Sequence, residues 1–128
     1  METSEAPTGA WSQLSDAAGS GNLLLEPNVA ARCAQRCGDL VDELKRLQVR
    51  AIRLHKVEGL GHLPSGIALA SKFGRKASGG EYSLDQALID HIAEVEQMRD
   101  VFLAIENRYA AAEEVNTAAT AAVESQIN

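Results

Sequence analysis

The sequence predicts an all-α protein: an antiparallel helical hairpin of two long helices, with a short helix in the connector and flexible termini. Three observations point there. Apolar residues recur in steps that alternate four and three along two separate stretches, the spacing of a helical seam. Aromatic residues are scarce, one Trp, two Tyr and two Phe in 128 residues. That leaves Leu, Ile, Val and Ala to build the core, a palette that suits packed helices. The two stretches also carry opposite charge.

Taken in order, residues 1–25 are rich in Ser, Gly, Ala and Thr and lack helical periodicity, so they read as a flexible arm that Trp11 or Leu23 to Leu25 could tack down. A hairpin domain then covers 26–115. Pro27 suits a first helical position, and the apolar series Cys33, Cys37, Leu40, Leu44, Leu47, Ala51, Leu54 marks the seam of a helix over about 27–57. Gly59 and Gly61 are placed to end it.

The connector, 58–82, is too long for a simple turn between helices. Its LPSGIALASKFGRK stretch explains the excess: Pro64 can begin a short helix whose apolar face is Ile67, Ala70 and Phe73, with Gly74 weakening its end. Ser83 followed by Gln86 has the form of a capping box. From there a second seam runs through Leu84, Leu88, His91, Val95, Met98, Phe102, Ile105, Tyr109 and Ala112, predicting a helix over about 83–114. An alanine-rich tail, 116–128, follows. The two helices are expected to match at roughly 31 residues, or roughly 46 Å, each.

Charge favours their pairing. Residues 26–56 hold seven bases and four acids, net +3, whereas 81–114 hold nine acids and two arginines, net −7. A single hairpin of this size buries little apolar surface. A homodimer or a heterodimer with another helical hairpin is therefore expected, completing a four-helix bundle along Cys37, Leu40, Leu44, Leu47, Leu54, Leu88, Val95, Phe102 and Ile105.

Chemistry-bearing constellations are absent from the sequence. The first twenty residues contain no Lys or Arg and precede no long apolar run, which is unlike a Sec signal, and no stretch is long and apolar enough for a membrane span. His55 is expected about 27 Å along the helix from Cys33, and His62 falls in the connector, so no tetrahedral metal set assembles. Cys33 and Cys37 have three residues between them, inside a helix, rather than the two of a redox motif; they read as small seam hydrophobes, with an intermolecular disulfide as the alternative. No nucleophile, base and oxyanion donors converge, so no enzyme activity, catalytic residue, metal or cofactor is expected. Lys72, Arg75 and Lys76 are the one compact basic cluster in a chain of net charge −6, which argues against a nucleic-acid partner.

Tyr109 and Glu113, four apart at the far end of the second helix, share a face, and the three alanines between leave both uncovered. A tyrosine, three residues and an acid directly after a helix-turn-helix resembles the export signal of the helical-hairpin proteins secreted by actinobacterial type VII (ESX) systems, the WxG-like superfamily. The resemblance spans about 27–115. It departs in the turn, which reads GLGHLPSG without the Trp-x-Gly of core members, the single Trp being Trp11. A secretion-associated relative with an elaborated turn is what it implies. The resemblance implies a non-enzymatic secretion substrate or secretion-associated protein that folds in the cytoplasm and reaches the outside or the cell surface by a non-Sec route. Its partners would be a second helical hairpin and a secretion ATPase or chaperone that reads Tyr109 and Glu113. The alternative from another class is a cytoplasmic coiled-coil adaptor or chaperone-like protein whose acidic second helix holds a basic partner.

Overall fold

The computed structural model describes residues 8–127. Among them are four helices and no strand: α1 (Thr8–Gly19), α2 (Val29–Arg53), α3 (Pro64–Ala77) and α4 (Leu84–Ile127). The all-α class stands, and α2 and α4 pack together. The matched lengths do not: α2 has 25 residues and α4 has 44. The chain divides into two compact units, Met1–Cys37 with Gln97–Asn128, and Gly38–Glu96.

The first unit contains α1, the start of α2 and the later part of α4. Its core is Ala18, Ala30, Val101 and Ile105, against which Trp11, Leu23, Leu25, Phe102, Ala104 and Tyr109 pack. Ile105 is only 1% exposed, the one large side chain fully enclosed among the described residues. The stretch read as an arm thus contains a helix. Its inward positions, the buried Ala18 and the half-buried Trp11, Ser15 and Ala17, include a serine and two alanines, so hydropathy alone leaves the periodicity faint. Residues 1–7 of that stretch, and Asn128 of the expected tail, lie outside the described residues.

The chain leaves α1 through Gly21 at φ 81°, where a β-carbon would stand 3.3 Å from the Arg108 side chain. It enters α2 through a turn at Pro27 and Asn28. Asn28 takes φ 72°, and its carbonyl accepts the Arg32 N–H at 3.1 Å. Pro27 therefore precedes the helix rather than opening it. Asn is among the few residues that tolerate the left-handed conformation such a turn requires.

The second unit contains the rest of α2, all of α3 and the start of α4. α2 ends at Arg53 and tightens through Leu54, His55 and Lys56, whose N–H groups bond three residues back, to Ala51, Ile52 and Arg53. Gly59 and Gly61, both in the left-handed region, shape the connector several residues later. α3 begins at Pro64 as the missing proline N–H allows. It runs through Gly74 to Ala77, and these two are its buried residues. Ile67 and Phe73, expected inward, are exposed. The reason is close approach: a β-carbon at position 74 would overlap the His55 carbonyl oxygen, so only the glycine face fits there.

His55 Nδ1 lies 2.9 Å from the Ser78 carbonyl and 3.2 Å from the Gly74 carbonyl. Both neighbours only accept, so the proton belongs on Nδ1, from which it is shared between them. Ser83, 3% exposed and immediately before α4, donates its hydroxyl to Asp85. Ser78 donates to the other Asp85 oxygen at 3.1 Å. The expected box with Gln86 does not form; Gln86 donates instead to Asp90, four residues on, at 3.2 Å. The serine bond comes first in holding the Asp85 carboxyl below its ordinary range, against a modest opposing push from burial.

The seam of α2 is rotated from its expected setting. The buried residues are Ala30, Ala34, Cys37, Val41 and Ala51, with Leu44 and Gln48 half-buried. Only Cys37, Leu44 and Ala51 of the expected series belong to this line. The alternate line moves by one residue, to Ala34, Val41 and Gln48. Small side chains permit close helix packing, and on α4 the volume comes from Ile92, Val95, Val101 and Ile105, with Leu88, Met98 and Phe102 half-buried. Leu40, Leu47 and Leu54 remain exposed, as do Leu84 and His91.

Candidate interaction sites

Each unit presents one candidate. In the first, α4 carries Tyr109 on the core cluster that includes Ala30, as far along the helix as packing extends. From Ala110 to Ile127 every residue is exposed. Tyr109 and Glu113 therefore straddle the point where α4 loses its neighbours.

The two side chains are not equally free. Tyr109 is half-buried, and its hydroxyl donates to the Leu25 carbonyl, a backbone group just ahead of α2. This corrects the expectation that both groups stand uncovered. The phenol is a local tie between α4 and the segment from α1 to α2, while Glu113 alone is fully presented to solvent. No sequence signal identifies Leu25 as the partner, because the acceptor is a backbone carbonyl that any residue could supply. Beyond the tie, Ala110, Glu113, Glu114, Thr117, Ala118 and Ala121 line a shallow groove along the projecting helix.

The same unit places both cysteines on one pocket of about 430 Å³, with Val29, Arg32, Arg36 and Phe102. Cys37 is buried and Cys33 half-exposed; both are free thiols. Burial pushes the Cys37 thiol up, the neighbouring Cys33 adds to this, and Arg99 opposes it. A raised thiol pKa lowers the thiolate fraction, the reverse of what a nucleophile needs.

In the second unit the candidate is the line Leu40, Leu47 and Leu54, exposed by 46%, 43% and 59%. Seven-residue spacing puts the three on one side of the helix. Leu54 belongs to the same line because its N–H still bonds to Arg50 at 3.2 Å. The nearby cross-helix ion pair, Lys45 to Glu96 at 4.0 Å, is exposed at both ends and contributes little.

Among the described residues, no group of three His, Cys, Asp or Glu gathers to hold a metal ion, and no helix is long and apolar enough to cross a membrane. No family model, no curated protein and no solved structure matches the chain.

Proposed function

We propose that this chain is a non-enzymatic helical interaction protein, exported in the manner of the type VII secretion-associated hairpins. In this reading α2 and α4 form the arms of an antiparallel hairpin with α3 in the connector. It acts by pairing with another helical chain. The observation that carries the export reading is the placement of Tyr109 and Glu113 at the end of the packed part of α4, followed by a wholly exposed helical stretch. A secretion ATPase or its coupling component would meet Glu113 through a basic group and dock along the helix beyond Ala110. Tyr109 serves that surface by fixing where the projecting helix begins, since its hydroxyl is already committed to Leu25.

The hairpin reading is supported by two contacts between α2 and α4: Ala30 clusters with Val101 and Ile105, and Lys45 faces Glu96. Rising numbers on one helix meet falling numbers on the other. Pairing is supported by the exposed leucines of α2, because an apolar line of this kind marks an interaction surface.

The test is export from a host that carries a type VII system, with a cytosolic marker as the leakage control. Glu113→Ala should stop the protein reaching the culture filtrate while leaving its helicity and thermal midpoint unchanged. Tyr109→Phe, which keeps the ring and removes the hydroxyl, separates the tie to Leu25 from recognition of the aromatic face. Normal export of the double variant Tyr109→Ala with Glu113→Ala discards the reading. Strict retention of the wild-type chain in the cytosol favours the adaptor instead.

A further inference from the structure

We infer that the open line of α2 is the seat of a second copy of this chain, packed antiparallel about Leu47. The inference rests on the reading of the protein as a helix-pairing molecule and supplies what that reading lacks, the surface and the partner. The apolar part of the argument is geometric. Leu40, Leu47 and Leu54 lie on one side of the helix and are about half exposed, beside the half-buried Leu44 and the buried Ala51. The line therefore borders the packed face of α2, where a second helix could complete the enclosure of all three leucines.

Charge then selects the occupant and its direction. Asp39, Asp42 and Glu43 precede Leu47, whereas Arg50, Arg53 and Lys56 follow it with no acid among them. On the acidic half Lys45 faces Glu96 and Arg46 pairs with Glu43, leaving Asp39 and Asp42; on the basic half Lys56 pairs with Glu58, leaving Arg50 and Arg53. A two-fold axis at Leu47 sets Leu47 against itself and Leu40 against Leu54 of the second copy. It also brings the acidic half of each helix beside the basic half of the other. Parallel pairing instead sets bases beside bases, which disfavours it. Such self-complementarity is the requirement of an isologous interface, in which one patch must match itself. A purely acidic or purely basic partner helix would satisfy only half of the line.

The experiment uses the full chain. Light scattering should give twice the chain mass at micromolar concentration. Leu47→Lys should weaken association by roughly a hundredfold or more, since the substitution acts twice per pair, with the helical circular-dichroism signal unchanged because Leu47 is exposed in the single chain. Leu40→Lys provides a second variant at a different turn. On a background with Cys33→Ser and Cys37→Ala, Leu47→Cys should form a disulfide-linked dimer by itself. Leu40→Cys and Leu54→Cys should cross-link only when mixed. A monomeric wild type at its highest soluble concentration overturns the inference, as does a dimer that survives Leu47→Lys. Self-cross-linking of Leu40→Cys overturns the antiparallel arrangement. None of these outcomes depends on export, so failure here and failure in the culture filtrate are told apart.

Discussion

The two units of this protein hold together by different means. The unit built from α1, the start of α2 and the later part of α4 has a side-chain core: Ile105, Val101, Ala30 and Ala18 are at most 3% exposed, and a tryptophan and a tyrosine flank them. The unit built from the rest of α2, α3 and the start of α4 buries Val41, Ala51, Ile92 and Val95 and adds close backbone approach and polar ties, with Gly74 against the His55 carbonyl, His55 shared between two carbonyls, and Ser83 and Ser78 on Asp85. Most of the exposed large hydrophobics also lie in this second unit, among them Leu40, Leu47, Leu54, Ile67 and Phe73. The first unit leaves fewer large hydrophobics open, Leu14, Leu24 and Leu103 among them.

That contrast can be broken first at Ile105. Ile105→Ala should cost about 2–5 kcal/mol, because it opens a cavity in the only part of the described chain that encloses a large side chain fully. Urea unfolding followed by circular dichroism measures it. A loss below about 1 kcal/mol would show that the first core is looser than described.

Glycine substitutions sharpen the comparison at the next level. Gly74→Ala should destabilise by about 1–3 kcal/mol, since the new methyl meets a backbone oxygen that cannot rotate away. Gly9→Ala in α1 meets nothing within 4 Å. It should be neutral or stabilising by a few tenths of a kcal/mol through helix propensity. Equal thermal midpoints for the two variants would remove the distinction between the units.

The smallest destabilisation concerns the polar ties. Ser83→Ala should lower the thermal midpoint at neutral pH, by less than Ile105→Ala does, by removing one donor from Asp85. Because the folded Asp85 carboxyl is held below its unfolded value of 3.8, its contribution is present above that value and lost as pH falls through the lower folded one. The wild type should therefore lose its advantage over Ser83→Ala on acidification below about pH 4. A stability difference that persists unchanged to pH 2 would contradict this assignment.

How much of this was legible depends on which residues do the work. The class and the approximate places of α2, α3 and α4 follow from spacing, Pro64 and the connector length. Val95, Phe102 and Ile105 were readable as inward positions because one face of α4 carries the volume. The setting of α2 was not readable, because the packed line uses Ala30, Ala34 and Ala51, and a reading weighted by hydropathy prefers the leucines one step away. α1 escaped for a related reason: its inner face is a tryptophan among small residues. At the candidate sites, Glu113 is as exposed as its spacing suggested, while the bond from Tyr109 to Leu25 depends on tertiary placement of a carbonyl that leaves no trace in residue type.

The uncovered run of α4 from Ala110 onward has one more consequence. Starting a helix is costly and extending it is cheap, so this stretch borrows its nucleus from the anchored turns before it. Its turns can open without disturbing Ile105, and amide exchange beyond Ala110 should be faster than at Ile105. Tyr109, fastened at the boundary, then acts as a stopper that keeps fraying out of the interior.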